Sequence, residues 1–275
     1  MSIITAADGT KIYGQFVNKK STKTPIVFIH GFVLNWTCFE KEIAFFKKRG
    51  HPIVYFDLRG HGKSGRPRSA EAYSFPTFVD DIKRVLQRFS LKKKVILVGY
   101  SLGGMIALHY AAQYPNRVSK LIIIDSADKA PEKNKLAHLA EKSKFFRTAY
   151  SFLAQEHPKR SRKERDVSIE EIHMNPKLFF TEQVFRTDPE ILLHLVDTIF
   201  SKESKITTIT VPTLLIGSKD DEFFSAKQEL ALAKKIPRTI IKVLPGKHDI
   251  IMRQPHLIST EIKQFLHTNA SYFKD

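Results

Sequence analysis

An apolar run turns a glycine-flanked corner at Lys94-Val95-Ile96-Leu97-Val98-Gly99-Tyr100-Ser101-Leu102-Gly103-Gly104. The unbroken, β-branched start is typical of a strand buried on both faces of a parallel sheet. Beyond the corner, apolar residues recur at helical spacing until Pro115. A Gly-x-Ser-x-Gly corner between a strand and a helix strains the serine backbone and exposes its hydroxyl at the carboxyl edge of the sheet. The corner therefore predicts Ser101 as a nucleophile, with a purely structural turn as the alternative.

Strands and helices alternate along the rest of the chain. Buried strands are predicted at residues 25–29, 52–57, 94–98, 121–125, 212–217 and 239–244, after an antiparallel hairpin at residues 3–16. Amphipathic helices are predicted at residues 36–49, 75–89, 226–235 and 255–267. Such alternation implies right-handed crossovers and helices on both faces of the sheet. We therefore predict an α/β fold with a mostly parallel, eight-stranded sheet.

The alternation stops between residues 128 and 204, where charged segments with helical periodicity contain no buried strand. We expect residues 1–127 and 205–275 to form the core, and residues 128–204 to form an inserted helical cap over the carboxyl edge. The cap is rich in aromatic residues, including Phe146. These residues either line a tunnel for an acyl chain or form the core of the cap, and the second interpretation is the simpler one.

The chain is strongly basic. Its 275 residues include 45 Lys+Arg and 28 Asp+Glu, a net charge of +17. A field of this size attracts nucleic acid, anionic lipid or acidic substrates, although an effect on solubility explains it as well. The basic residues are scattered except at residues 159–165. We therefore expect no nucleic-acid partner and at most a weak association with anionic surfaces.

Cysteine content and hydropathy bound the cellular setting. Cys38 is the single cysteine, which excludes an intramolecular disulfide and a thiolate metal cluster. The first residues lack a signal-peptide pattern, and no apolar stretch approaches the roughly twenty residues of a membrane span. We therefore expect a cytoplasmic protein.

A serine hydroxyl is a weak nucleophile until a base removes its proton. His248 follows the last predicted strand, and loops that follow parallel strands meet at one edge of the sheet. The histidine in turn needs a carboxylate to fix its tautomer. Asp220, just after the strand at residues 212–217, is the predicted acid. Asp221 beside it and Asp125, at the end of another strand, remain alternatives.

Two backbone N–H groups are predicted to stabilise the oxyanion of a tetrahedral intermediate. One belongs to Leu102, directly after the serine, and the other to Phe32, directly after His30-Gly31. Four aromatic side chains are predicted to line the substrate pocket: Trp36, Tyr100, Phe146 and Phe223.

Five motifs, in this order, resemble those of α/β-hydrolases of the esterase, lactonase and cofactor-free haloperoxidase-like group. They are His30-Gly31-Phe32, Asp57-Leu58-Arg59-Gly60-His61-Gly62-Lys63-Ser64, Gly99-Tyr100-Ser101-Leu102-Gly103-Gly104, Gly217-Ser218-Lys219-Asp220 and Gly246-Lys247-His248. The order Ser, Asp, His is that of this fold. The resemblance covers residues 3–127 and 206–266. It implies an α/β-hydrolase fold, in which Asp57 and His61 tie the glycine-rich loop to the sheet.

The chain departs from this family pattern at two loops. Lys247 stands where relatives usually have glycine before the histidine, and Phe223-Phe224 stand where a proline often follows the acid. Relatives that open epoxides or cleave carbon–halogen bonds carry aspartate at the corner. Ser101 argues against both reactions.

These observations predict a serine hydrolase that cleaves small to medium carboxylic esters through an acyl-enzyme, with no metal and no organic cofactor. Its expected partner is a small-molecule ester. A lipase, thioesterase, lactonase or carbon–carbon bond hydrolase would use the same residues, so these activities remain alternatives. The competing class is a non-enzymatic basic binding protein on the same fold.

Overall fold

One mixed sheet carries the fold, in a computed structural model that describes residues 2–129, 175–200, 206 and 209–269. Its strands are β1 (Ser2–Thr5), β2 (Lys11–Val17), β3 (Ile26–Ile29), β4 (Ile53–Phe56), β5 (Val95–Tyr100), β6 (Val118–Ile124), β7 (Thr213–Ser218) and β8 (Thr239–Leu244). They lie in the order β1-β2-β4-β3-β5-β6-β7-β8. β2 pairs antiparallel with β1 and β4, and all other neighbours are parallel. This confirms the predicted mostly parallel sheet of eight strands.

The helices of the described residues cover both faces of the sheet. They are α1 (Glu40–Lys48), α2 (Phe75–Arg88), α3 (Leu102–Gln113), α4 (Pro176–Arg186), α5 (Pro189–Ile199), α6 (Ala226–Ala233), α7 (Ile250–Arg253) and α8 (Pro255–His267). Short 3-10 turns lie at Trp36–Phe39, Ala70–Ala72 and Pro115–Arg117. None of these helices is long and apolar enough to cross a membrane.

Two hydrophobic cores sandwich the sheet because successive strand residues point to opposite faces. In β3, Val27 and Ile29 join the core that contains side chains of α2 and α3. Ile26 and Phe28 join the core that contains side chains of α1 and α8. Burial on both faces explains why the central strands are apolar at every position rather than at alternate ones.

A buried ion cluster fixes the amino-terminal hairpin and the loop after β4. Arg59 is 1% exposed and forms a bidentate pair with Asp81 of α2, at 2.6 and 2.7 Å. A third nitrogen donates to Asp8 in the β1–β2 turn at 2.6 Å. Removing one member of such a buried cluster leaves an uncompensated charge, which typically costs about 3–5 kcal/mol.

The structure describes part of the predicted cap, residues 128–204. α4 and α5 fall within it, and Thr198 of α5 donates its hydroxyl hydrogen to the carbonyl of Tyr73 in the core. Residues 130–174, and with them Phe146 and the basic cluster at 159–165, lie outside the described residues. The division into a core and a cap stays a prediction.

Candidate active site

Ser101 occupies a strained corner between β5 and α3. Its φ is 52° and its ψ −120°, a conformation that non-glycine residues rarely adopt. A Cβ atom at Gly103 would lie 2.6 Å from the carbonyl carbon of Ile29, and one at Gly99 would lie 2.8 Å from the Cα of Gly104. Both glycines are therefore required for the close approach of α3 to β3 and β5.

His248 lies between Ser101 and a carboxylate. Its Nε2 is 3.1 Å from Ser101 Oγ, and its Nδ1 is 2.9 Å from Asp221 Oδ2. The Asp221 side chain is fully buried and that of His248 is 12% exposed. A buried carboxylate accepts, so Nδ1 carries the hydrogen and the lone pair of Nε2 faces the serine hydroxyl. The three side chains form one hydrogen-bonded chain.

The prediction of Asp220 as the carboxylate beside the histidine is wrong, and the alternative, Asp221, takes that place. β7 extends to Ser218, one residue further than predicted, and the turn that follows leaves Asp220 exposed. The backbone N–H of Asp220 donates to the carbonyl of Gly246 at 2.9 Å. Asp221 is turned inward because its Oδ1 accepts the N–H groups of Phe223 and Phe224, at 2.6 and 3.1 Å. Such local capping by aspartate is common in turns.

Asp125, the other alternative, is buried beside this chain without a hydrogen bond to His248. Its Oδ1 accepts the backbone N–H of Ser218 at 2.8 Å, and its Oδ2 accepts the Ser218 hydroxyl at 2.9 Å. Burial, followed by the charge of Asp221, raises the pKa of Asp125 well above its ordinary value. Ligand atoms of Asp125, Asp221 and His248 lie within 4.8 Å of one another, a spacing that could hold a metal ion. Each residue already has a hydrogen-bond partner in the protein.

The two backbone groups predicted for the oxyanion flank Ser101. Leu102 is the first residue of α3, so its N–H has no intrahelical acceptor. Phe32 follows Gly31, where a Cβ atom would lie 3.2 Å from the Cβ of Ser101. Neither N–H has a hydrogen-bond acceptor among the residues that the structure describes. Both therefore remain available to an anion beside the serine hydroxyl.

His30 holds this loop in place. Leu58 donates its N–H to His30 Nε2 at 2.9 Å, so the ring hydrogen is on Nδ1 and is donated to the carbonyl of Gly31 at 2.8 Å. Burial lowers the pKa of His30 well below its ordinary value, which keeps the ring neutral. His30 therefore links the loop after β3 to the loop after β4.

The predicted pocket residues have different surroundings. The ring centroid of Phe223 is 4.5 Å from that of His248, and Trp36 stacks on Tyr55 at 4.5 Å. Tyr100 is 3% exposed, and its hydroxyl donates to the backbone carbonyl of His248. Tyr100 therefore supports His248 and offers little surface to a ligand, contrary to its predicted place in the pocket.

Asp57 and His61 tie the glycine-rich loop to its surroundings. Asp57 accepts the N–H groups of Trp36 and Lys63, at 3.0 and 2.9 Å. Burial raises the pKa of Asp57 to about 6, and burial lowers the pKa of His61 to about 4. His61 Nδ1 donates to the carbonyl of Arg59 at 2.8 Å.

Known proteins share this architecture. A family model of the alpha/beta hydrolase fold matches residues 24–167, which is 144 of the 275 residues. The protein ABHD8 of Bos taurus is 25% identical over 250 residues, covering 88% of this chain and 55% of ABHD8. The chain thus spans about half the length of that relative.

Solved structures match over nearly the whole chain. An esterase from Exiguobacterium antarcticum is 23% identical with a TM-score of 0.77, covering 97% of this chain and 99% of the esterase. The enol-lactonase from Burkholderia xenovorans LB400 is 17% identical with a TM-score of 0.77, and the match covers 97% of this chain and 100% of the lactonase. With the family match over half of its length and the serine corner between β5 and α3, the chain belongs to the α/β-hydrolase family.

Proposed function

We propose that this protein is a serine hydrolase that cleaves carboxylic esters of small to medium size through an acyl-enzyme. The observation that carries the proposal is the continuous hydrogen-bonded chain from Ser101 Oγ through His248 to Asp221, with distances of 3.1 and 2.9 Å. A buried carboxylate, an imidazole in the correct tautomer and a hydroxyl on a strained turn are the components of nucleophilic acyl transfer.

Acylation begins when Ser101 Oγ attacks the ester carbonyl carbon and its proton passes to His248 Nε2. The carbonyl oxygen becomes an oxyanion, which the N–H groups of Phe32 and Leu102 stabilise. When the carbon–oxygen bond to the alcohol breaks, His248 protonates the departing alcohol oxygen. Asp221 stabilises the imidazolium that exists between these two proton transfers.

Deacylation repeats the sequence with water. His248 takes a proton from the water as its oxygen attacks the acyl carbon, and returns that proton to Ser101 Oγ when the acyl–serine bond breaks. The carboxylic acid leaves, and the serine hydroxyl is restored. The cycle needs no redox partner and no organic cofactor.

Both oxyanion donors are backbone groups, so substituting their side chains leaves the donors in place. Losing one such donor typically costs on the order of 3 kcal/mol in the activation barrier. Phe32 is held through Gly31 and His30, and Leu102 is held by the start of α3. The α3 amino terminus also directs the positive end of its dipole at the oxyanion.

The structural neighbours support an ester-type substrate, since one is an esterase and another an enol-lactonase. A lactone is a cyclic ester, and its opening would use the same steps. Lipase, thioesterase and carbon–carbon bond hydrolase activity remain alternatives on the same residues. We also propose a cytoplasmic setting with no nucleic-acid partner.

A fluorophosphonate probe tests the proposal directly, because it phosphonylates only an activated serine. We expect an adduct on the peptide that contains Ser101, lost in Ser101→Ala and in His248→Ala. Turnover of p-nitrophenyl esters of increasing acyl length then defines the substrate range. Folded protein, by circular dichroism, without any adduct on Ser101 would overturn the proposal. Salt-dependent retention on heparin without ester turnover would support the basic binding protein instead.

A further inference from the structure

Glu229 on α6 is a buried acid outside the proposed triad. It is 2% exposed, and glutamate is rarely so buried unless it is paired. A Cβ atom at Gly217 would overlap Oε2 of Glu229, so the carboxyl group lies directly against the backbone of β7, in the space that the glycine leaves. The other oxygen, Oε1, is buried without a hydrogen-bond partner among the residues that the structure describes.

The hydrogen-bond donors near the Glu229 carboxyl group donate to Asp125 and Asp221 instead. Ser218, next to Gly217, gives both its backbone N–H and its hydroxyl to Asp125. Asp221, four residues from Gly217 in the chain, takes two backbone N–H groups and the imidazole of His248. Among Asp125, Asp221 and Glu229, the acid with an unpartnered buried oxygen within the described part of the chain is therefore Glu229.

Acidic groups dominate the charges that face Glu229. The charge of Asp221 raises the pKa of Glu229, and the charges of Asp221 and Glu229 both raise the pKa of Asp125. β7 has no ionisable side chain, and Lys242 of the neighbouring β8 pairs with Glu261 of α8 at 3.3 Å. The lysines of α6 and of the residues just after it are exposed: Lys227, Lys234 and Lys235, the last paired with Asp128.

We propose that Glu229 is a positioning residue of this site: its buried carboxyl group, seated on Gly217, sets the negative charge around Asp221 and thereby the basicity of His248. The inference rests on the proposed serine hydrolase function. Glu229 touches neither the substrate nor the reacting atoms, and it acts through Asp221.

The proton on Glu229 decides how strongly it acts. Burial first, and then the charge of Asp221, raises the pKa of Glu229 to about 8. At neutral pH the Glu229 carboxyl group is therefore mostly protonated. When Glu229 ionises, a second negative charge stabilises the imidazolium that forms as Ser101 attacks. The rate of attack is expected to rise by about threefold to tenfold over this step.

The test measures how fast a fluorophosphonate modifies Ser101 between about pH 6 and pH 10. In the wild-type protein we expect a second rise in rate, centred near the Glu229 pKa of about 8. Glu229→Gln keeps the size of the side chain and removes its titration, so this second rise should disappear. The matched control is Glu190→Gln, the same change at an exposed glutamate of α5, and its profile should match the wild type.

Two outcomes would overturn the inference, and they differ from one another. If Ser101 is modified but the Glu229→Gln and wild-type profiles superimpose, Glu229 has no positioning role while the proposed function stands. If folded wild-type protein is modified at no pH and hydrolyses no ester, the proposed function fails and the role of Glu229 fails with it. A wild-type profile with a single rise also counts against Glu229, without the use of any variant.

Discussion

Replacing Asp221 with asparagine should disable the proposed hydrolase while leaving it folded. Asp221 Oδ1 accepts two backbone N–H groups, from Phe223 and Phe224. In Asp221→Asn the amide oxygen must take this position, since an NH₂ group there would face two donors. The NH₂ group then points at His248 Nδ1, which must become an acceptor. The ring hydrogen moves to Nε2, and His248 can no longer take the proton of Ser101.

The magnitude follows from this change of tautomer. Forcing the wrong tautomer on the histidine of a serine hydrolase lowers kcat by about 10³–10⁴-fold, equivalent to about 4–6 kcal/mol in the activation barrier. The retained hydrogen bonds from the N–H groups of Phe223 and Phe224 to the amide oxygen should keep the loop after β7 in place. The melting temperature should therefore change by only a few degrees, on the order expected for about 1 kcal/mol.

Asp220→Asn is the matched control, because it makes the same substitution one residue earlier on an exposed side chain. Steady-state hydrolysis of a p-nitrophenyl ester, with circular dichroism of each variant, gives the comparison. We expect Asp220→Asn within about twofold of the wild type, as for a surface substitution away from the reacting groups. A large loss in Asp220→Asn together with a small loss in Asp221→Asn would refute the assignment of the acid.

Three further predictions concern Tyr100, Gly103 and Glu42. Tyr100→Phe removes the hydroxyl that donates to the His248 carbonyl. This substitution should lower kcat by up to about tenfold with KM little changed. An unchanged kcat would show that this hydrogen bond does not position His248. Gly103→Ala places a Cβ atom 2.6 Å from the carbonyl carbon of Ile29. The free energy of unfolding, measured in urea, should fall by about 3 kcal/mol or more. A smaller loss would mean that α3 can shift to make room for the methyl group. Glu42 is fully buried, with both carboxylate oxygens unpartnered among the described residues, and burial raises its pKa well above the ordinary 4.5. Its contribution to stability is therefore complete below about pH 4.5 and is lost as the pH rises. Glu42→Met should stabilise the protein by about 1–3 kcal/mol at about pH 8 and by less at about pH 4.5, and a gain independent of pH would contradict this reasoning.

Periodicity located the elements because it reflects burial. The predicted helix at 255–267 coincides with α8, and the predicted helix at 75–89 ends one residue beyond α2. The serine corner was equally readable, since the backbone at Gly99 and Gly103 leaves no room for a Cβ atom. In such cases the sequence carries the constraint in a single residue type.

The direction of a side chain in a short turn could not be predicted from the sequence pattern. Asp220 and Asp221 are adjacent carboxylates, and which one faces inward depends on where β7 ends, a boundary that a pattern defines only to within a residue or two. Glu229 was equally hidden, because a glutamate on an amphipathic helix is ordinarily solvated. The one sequence signal was Gly217 at the end of β7, and it does not say which side chain occupies the space.

Hydrogen-bond donors, rather than position in the sheet, distinguish Asp221 from Asp125 as the partner of His248. β6 and β7 are parallel neighbours, and each leads to a buried carboxylate at the same edge. Ser218 occupies both oxygens of Asp125, with its N–H and its hydroxyl. Asp221 leaves Oδ2 for the imidazole, because its backbone donors both fall on Oδ1. The carboxylate that follows β7 therefore holds the histidine, whereas the carboxylate that follows β6 is held by Ser218.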